Sequence, residues 1–171
     1  MNLYLVSVPV FIQTLKSLSS ILGKAKSHLV KTGMSEETLL NARLAPDMFP
    51  FMRQIQIVSD NAKGIAARLT GEEPPKMEDT EQTLDELILR CDKTIAYLTT
   101  LKPEAFVGSE ERKIPFHYAE GKYLSGLDTF RYTNLPNFFF HAAIAYGILR
   151  HLGLEIGKCD FLGELPLQDI E

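Results

Sequence analysis

The sequence predicts an all-α protein, a four-helix bundle with a short hairpin or extended arm between its third and fourth helices. Apolar residues recur at steps of three and four along four long stretches, which is the spacing of one helix face. Between the third and fourth stretches, residues 106–133 are short, partly alternating segments separated by AEG, which favours a hairpin. Four amphipathic helices bury their apolar faces most simply against one another.

The first helix is predicted from a long amphipathic stretch in which Pro9 occupies the first turn, where a missing N–H costs least. Gly33 is expected to end it, and a short helical turn over residues 35–41 follows. Its core-facing residues are Val8, Phe11, Leu15, Leu18, Leu22, Ala25 and Leu29.

The second helix is predicted within PDMFPFMRQIQIVSDNAKGIAARLTG, with Gly71 after its end. Pro46 and Pro50 restrict where it begins, because proline beyond the first turn removes a backbone hydrogen bond. Its apolar face consists of Phe51, Ile55, Val58, Ala62, Ile65 and Leu69.

The third helix follows a linker, EEPPKME, at residues 72–78. Asp79 with Gln82 three residues later predicts an N-cap with its reciprocal partner, and Pro103 marks the end of the helix. The apolar positions are Leu84, Leu87, Ile88, Cys91, Ile95 and Leu98.

The fourth helix is expected to begin at Asn134 or Pro136 and to close at Gly153. It is apolar on every side, with Phe139 and Tyr146 nearly opposite the core face. Such a helix is normally buried all round, so the hairpin arm or a second copy of the chain is expected to cover it, and we expect a homodimer. The tail from residue 154 to 171 is expected to lie over the bundle surface.

Composition narrows the class of protein. The 171 residues suit one domain spanning 1–171, and the net charge of -4 without a Lys/Arg cluster argues against a nucleic-acid partner. Cys91 and Cys159 form no CxxC pair, which favours a reducing, cytoplasmic location. No run of about 18 apolar residues predicts a membrane span, so we expect no membrane partner.

A polar stripe marks the candidate site. Four residues of the second helix region recur every seven positions along the edge of its apolar face: Asp47, Gln54, Asn61 and Arg68. On the fourth helix, Asn137 and His141 face the core side. If the two helices meet, a pocket for a small molecule is expected where the candidate side chains converge, namely Asp47, Gln54, Asn61, Asn137 and His141. The alternative is that the stripe is a solvated boundary and that His141 is a hydrogen-bonded structural residue.

The other histidines suggest less. His151 stands ten residues after His141, too far along and around the helix to share a metal ion with it. His151 and Arg150 suit the negative end of the helix dipole, and His28 near the end of the first helix has the same explanation. His117 lies in the predicted arm, and its neighbours assign it no role.

Three stretches carry a family resemblance: VPVFIQTLKSLSSIL, LAPDMFPFMRQIQIVSDNAKGIAARLTG and LPNFFFHAAIAYGILRHLGLEIGKCDFLG. They resemble a family known only as a domain of unknown function, DUF1993. That family is similar in fold to the DinB/YfiT-like superfamily of four-helix bundles, which includes metal- and thiol-dependent transferases and often forms dimers. The resemblance therefore implies a DinB/YfiT-like bundle over nearly the whole chain.

The same resemblance implies a divalent metal held by one histidine of the second helix and an H-x-x-x-H pair of the fourth. This second helix has no histidine, and Asn137 with His141 stands where the pair would be, so the histidine triad is incomplete and only His141 carries over as a ligand. We expect a pocket for a small molecule or an atypical metal, with His141 as general base or ligand and with Asn137 and Gln54 orienting the substrate. The alternative is a non-catalytic dimeric interaction or stress-related protein whose metal site has degenerated.

Overall fold

Four long helices form the bundle in the computed structural model, which describes residues 2–116 and 118–170. They are α1 (Leu3–Thr32), α3 (Phe51–Thr70), α4 (Leu84–Thr100) and α6 (Leu135–His151). The shorter elements are α2 (Glu36–Asn41), a 3₁₀ turn (Pro103–Phe106), β1 (Lys113–Pro115), β2 (Tyr123–Ser125), α5 (Gly126–Asp128), a π-helix (Thr129–Asn134) and α7 (Lys158–Leu162). His117 lies outside the described residues.

The core lies where the four apolar faces meet. Helix α1 packs along α4, and α3 packs against both α6 and α4. The apolar residues predicted to face inward on α1 and α3 are buried, except for Leu29, which is partly buried. Aromatic rings join the helices, with the ring centroids of Phe11 and Phe138 4.7 Å apart. The all-α bundle prediction is confirmed.

Helix α1 begins earlier than the sequence predicts. Asn2 caps it by accepting a hydrogen bond from the Tyr4 N–H, and Leu3 is fully buried. Pro9 therefore lies inside the helix and not in its first turn, which corrects the prediction. The missing N–H of Pro9 deprives the Leu5 carbonyl of its helical donor, but Leu5 is 67% exposed, so this end of the helix is open to solvent.

Helix α4 begins later than predicted, so the Asp79 cap was wrong. Thr83 is the N-cap: its hydroxyl accepts from the Glu86 N–H at 3.2 Å, and the Glu86 carboxylate accepts from the Thr83 N–H at 3.1 Å. Asp79 instead forms ion pairs with Arg53 and Arg90. The linker before α4, hereafter the 72–82 linker, is therefore held against the bundle by charge.

The predicted hairpin is present. Strands β1 and β2 pair antiparallel, with Ile114 opposite Leu124. The chain then passes so close to an earlier turn that a Cβ on Gly126 would stand 1.9 Å from the Ser109 carbonyl oxygen. Only glycine fits at this crossing.

The outer face of α6 is covered by the C-terminal segment and not by the hairpin. The Phe161 ring of α7 contacts the Tyr146 ring edge-on, with centroids 5.7 Å apart, and the Tyr146 hydroxyl donates to the Ile156 carbonyl. The Gln13 amide of α1 donates to the carbonyls of Leu162 and Glu164, which fastens the segment. Residues 154–164 of the tail therefore lie over the bundle as predicted and supply the cover for which we expected the hairpin or a second chain.

Helix α1 is the one described helix that is long and apolar enough to cross a membrane by length and composition. Half of its most apolar window is buried inside the bundle, and the core helix of a soluble protein meets the same criteria.

Candidate functional site

The candidate site lies on the seam between α3 and α6. Gln54 of α3 and His141 of α6 are both buried there, and His141 Nδ1 lies 2.6 Å from Gln54 Oε1. The Gln54 Nε2 group donates to the Phe49 carbonyl at 2.9 Å, in the loop just before α3. Two side chains predicted to converge are therefore in direct contact.

This chain of hydrogen bonds fixes the tautomer of His141. A backbone carbonyl only accepts, so the Phe49 oxygen requires the NH₂ end of the Gln54 amide to face it. The Gln54 carbonyl oxygen then faces His141, and Nδ1 has to be the protonated ring nitrogen. In the neutral ring, Nε2 keeps its lone pair, and it has no hydrogen-bond partner among the described residues.

The surroundings favour the neutral ring. Burial lowers the pKa of His141 from its ordinary value, and the positive charge of Arg53 lowers that pKa further. At neutral pH the imidazole is therefore uncharged. Its Nε2 can accept a hydrogen bond or a proton.

A second contact lies further along the same seam, at Asn61. The Asn137 side-chain NH₂ donates to Asn61 Oδ1 at 3.1 Å, and the Asn134 NH₂ donates to both Asn61 oxygens, the backbone one at 3.0 Å. The Asn61 NH₂ in turn donates to the Ile57 carbonyl. The predicted meeting of Asn61 with Asn137 is therefore present, in a cluster of three asparagines.

Asn134 is the member of this cluster that the sequence did not single out as functional, because there it served only as a helix start. Its side chain is buried, and its Oδ1 has no partner among the described residues. It ends the π-helix, a geometry that occurs often at functional sites and leaves no periodic signature in a sequence. The signal that was present is its spacing of three from Asn137, which places both amides on one face.

Of the four residues in the predicted polar stripe, Gln54 and Asn61 lie on the seam, and Asp47 and Arg68 do not. Asp47 lies in a turn before α3 begins at Phe51, and it is exposed, so it is not part of the seam. Arg68 is exposed and folds back over Gly64. Two cavities, of about 650 Å³ and 920 Å³, lie elsewhere on the bundle.

Comparison with known proteins places the chain in a family. A model of the family described as Domain of unknown function (DUF1993) matches residues 3–162. The chain belongs to this family. It is also similar to a solved structure, a DinB family member protein from Shewanella denitrificans, with 39% identity, 98% of this chain and 96% of that chain covered, and a TM-score of 0.95. No curated protein matches it. The DinB-like bundle is thus confirmed for this DUF1993 protein.

The seam of this DUF1993 protein does not fit a histidine-held metal ion. The Gln54 oxygen is engaged by His141, and Asn137, whose NH₂ donates to Asn61, supplies an amide where the superfamily pattern has a histidine. Within the described residues, no group of three His, Cys, Asp or Glu side chains could hold a metal ion. The Arg53 charge that depresses the His141 pKa also opposes a cation.

His28, His151 and Cys91 have structural explanations. His28 Nε2 lies 3.2 Å from the Leu152 carbonyl, so its ring contacts the end of α6. His151 is exposed at the last residue of α6, where the helix dipole favours a cation. Burial raises the pKa of the Cys91 thiol to about 12, which leaves it protonated and inert. Cys159 is exposed.

The depressed pKa of His141 predicts a pH dependence of folding. The unfolded chain binds this proton more readily than the folded one, so the contribution to stability is complete above about pH 6.5 and is lost as the pH falls below it. Urea unfolding at pH 7.5 and 5.5 should show a smaller loss on acidification for His141→Phe than for the native chain. The Tyr132→Phe control, on an exposed ring, should keep the native dependence, and equal losses in all three proteins would contradict the prediction.

Proposed function

We propose that the α3–α6 seam binds a polar small molecule through the Nε2 lone pair of His141. The observation that carries this proposal is the chain from the Phe49 carbonyl through Gln54 to His141, which holds one ring nitrogen as donor and leaves the other as acceptor. A ligand with an O–H or N–H group complements this nitrogen.

Neighbouring groups favour a molecule that combines polar and apolar parts. The Phe140 ring meets the His141 ring edge-on, with centroids 5.1 Å apart, and is itself 58% exposed. Phe49, whose carbonyl begins the chain, is 55% exposed. Asn137 is exposed beside them and offers its amide. The ligand would place its donor against His141 and its apolar part against these rings.

The same geometry suits general base catalysis. A neutral imidazole that accepts a proton at Nε2 becomes a cation, and the Gln54 oxygen on Nδ1–H stabilises that cation. Removal of a proton from a nucleophile is a step that transferases and hydrolases share. We therefore propose transferase-like chemistry without a resident metal, in a cytoplasmic protein whose two cysteines are unpaired.

Nitrogen NMR of histidine-labelled protein tests the seam directly. At pH 7.5 His141 is expected as the Nδ1–H tautomer, and Gln54→Leu is expected to shift it towards Nε2–H. Gln13→Leu, which removes an amide that bonds to the C-terminal segment and to neither Gln54 nor His141, should leave the tautomer unchanged. A native His141 in the Nε2–H form would overturn the proposal.

Metal content is the second measurement. Untagged protein purified without chelator should contain no stoichiometric divalent metal by plasma mass spectrometry, because among the described residues no three His, Cys, Asp or Glu side chains are grouped to hold one. Stoichiometric metal that disappears in His141→Ala would contradict the proposal and support a metalloenzyme.

The second candidate is a non-catalytic homodimer, and one observation favours it. Leu44, Phe49 and Phe140 are large apolar side chains, each more than 45% exposed, and all border the same seam. A dimer through this face would cover them. Light scattering at micromolar concentration decides between the two: a dimeric mass that becomes monomeric in Phe140→Ser favours the interaction protein, and a monomeric native mass removes it.

A further inference from the structure

A cavity of about 650 Å³ lies between the 72–82 linker and α4, on a different face from the seam. Its size is within the range of small-molecule sites. The linker contributes Pro75 and Met77 to the walls, and α4 contributes Leu89, Arg90 and Tyr97. Arg90 and Tyr97, seven residues apart, lie on the same face of α4, and Leu89 lies about 100° around the helix from Arg90.

Two polar atoms of the cavity residues lack partners. Arg90 Nε and the Tyr97 hydroxyl are buried, and neither has a hydrogen-bond partner among the described residues. The other nitrogens of Arg90 are all engaged with the linker or with Asp60, so the single remaining donor stands out. A buried donor without an acceptor costs stability, and a ligand that supplies the acceptor recovers it.

The cavity lining contains equal numbers of positive and negative side chains. Lys76, Arg90 and Lys93 are positive, and Glu78, Glu81 and Glu86 are negative. Neither an anion nor a cation is favoured by such a lining. Leu89, which is 50% exposed, and the flexible thioether of Met77 offer apolar contact.

We propose that this cavity binds an uncharged molecule with an apolar body and a carbonyl group. The carbonyl accepts a hydrogen bond from the Tyr97 hydroxyl, with the Arg90 Nε–H as a second donor. Neither atom contacts solvent in this conformation, so the wall shifts when the ligand enters. The long, exposed side chains of Lys76 and Lys93 are the parts of the lining that move most easily. This site is independent of the seam function.

Benzamide, benzoate and benzylamine test the proposal because they share a ring and differ in charge. Backbone NMR titrations should show saturable shifts with benzamide in α4 and the 72–82 linker, and weaker ones with the two ions. Tyr97→Phe should weaken benzamide binding about threefold to tenfold, the effect of one hydrogen bond. Tyr132→Phe, on an exposed tyrosine outside the cavity, should bind as the native chain does.

Stability without ligand provides a separate readout. Since the Tyr97 hydroxyl has no partner, Tyr97→Phe should keep or raise the melting temperature. Three results would each overturn the proposal: no saturable benzamide shifts at the cavity, equal binding of the three compounds, or benzamide affinity unchanged in a folded Tyr97→Phe.

Discussion

Replacement of Arg90 by leucine is expected to lower the free energy of unfolding by about 3–5 kcal/mol. The Arg90 side chain is 1% exposed and is bonded to Asp60 at 2.7 Å, Asp79 at 2.9 Å and Glu81 at 2.9 Å. Leucine fills part of the space but leaves these carboxylates facing each other without the guanidinium between them. The linker would then lose its main attachment, since the Glu78 carbonyl also depends on Arg90.

Urea unfolding followed by circular dichroism measures this effect. Lys26→Leu is the matched control, because Lys26 pairs with Asp85 on the surface, with both side chains more than 45% exposed, and such pairs contribute little. Arg90→Lys should recover only part of the loss, because lysine keeps the charge but not the planar fork. A loss for Arg90→Leu no larger than that of the control would show that the network does not hold the linker.

Replacement of Gly126 by alanine is expected to cost about 3 kcal/mol, at the upper end of overpacking effects. The added Cβ would lie 1.9 Å from the Ser109 carbonyl oxygen and 2.9 Å from Leu69 Cδ2. The first of these atoms belongs to backbone, which a rotamer change cannot move aside. The Ser109 backbone is itself held, because its N–H donates to Phe106 and its carbonyl accepts from Arg112.

Gly23→Ala is the control for this effect. Gly23 lies inside α1, and a Cβ there would meet nothing within 4 Å. Alanine has the higher helix propensity, so this change should raise the free energy of unfolding by up to about 1 kcal/mol. Equal effects at the two glycines would contradict the close approach at Gly126.

The sequence predicted the helices well because each buried face repeats locally. It also brought Gln54 to His141 and Asn61 to Asn137, because the period of α3 places residues 54 and 61 on one edge and that of α6 places residues 137 and 141 on one side. The Asp79 cap failed for a physical reason. An aspartate and a glutamine three residues apart fit a capping box, but Thr83 and Glu86 fit it equally well, and ion pairs with two arginines hold Asp79 elsewhere.

Other features of the molecule depend on contacts that no local pattern reveals. Arg90 is charged and sits in an amphipathic helix, where charge usually means exposure, yet partners from α3 and the linker bury it. The π-helix that presents Asn134 has no characteristic residue spacing. The role of Asn134 becomes apparent only when the fold brings Asn61 next to it.

The C-terminal segment changes what the apolar surface of α6 implies about self-association. Tyr146 of α6 has its ring against Phe161 and its hydroxyl on the Ile156 carbonyl, and Gln13 ties the segment to α1. A surface that would otherwise have to be buried by a neighbouring subunit is closed by the last part of the same chain. Self-association, if the protein uses it, is thereby left free to occur on another face, so that folding and assembly need not depend on each other.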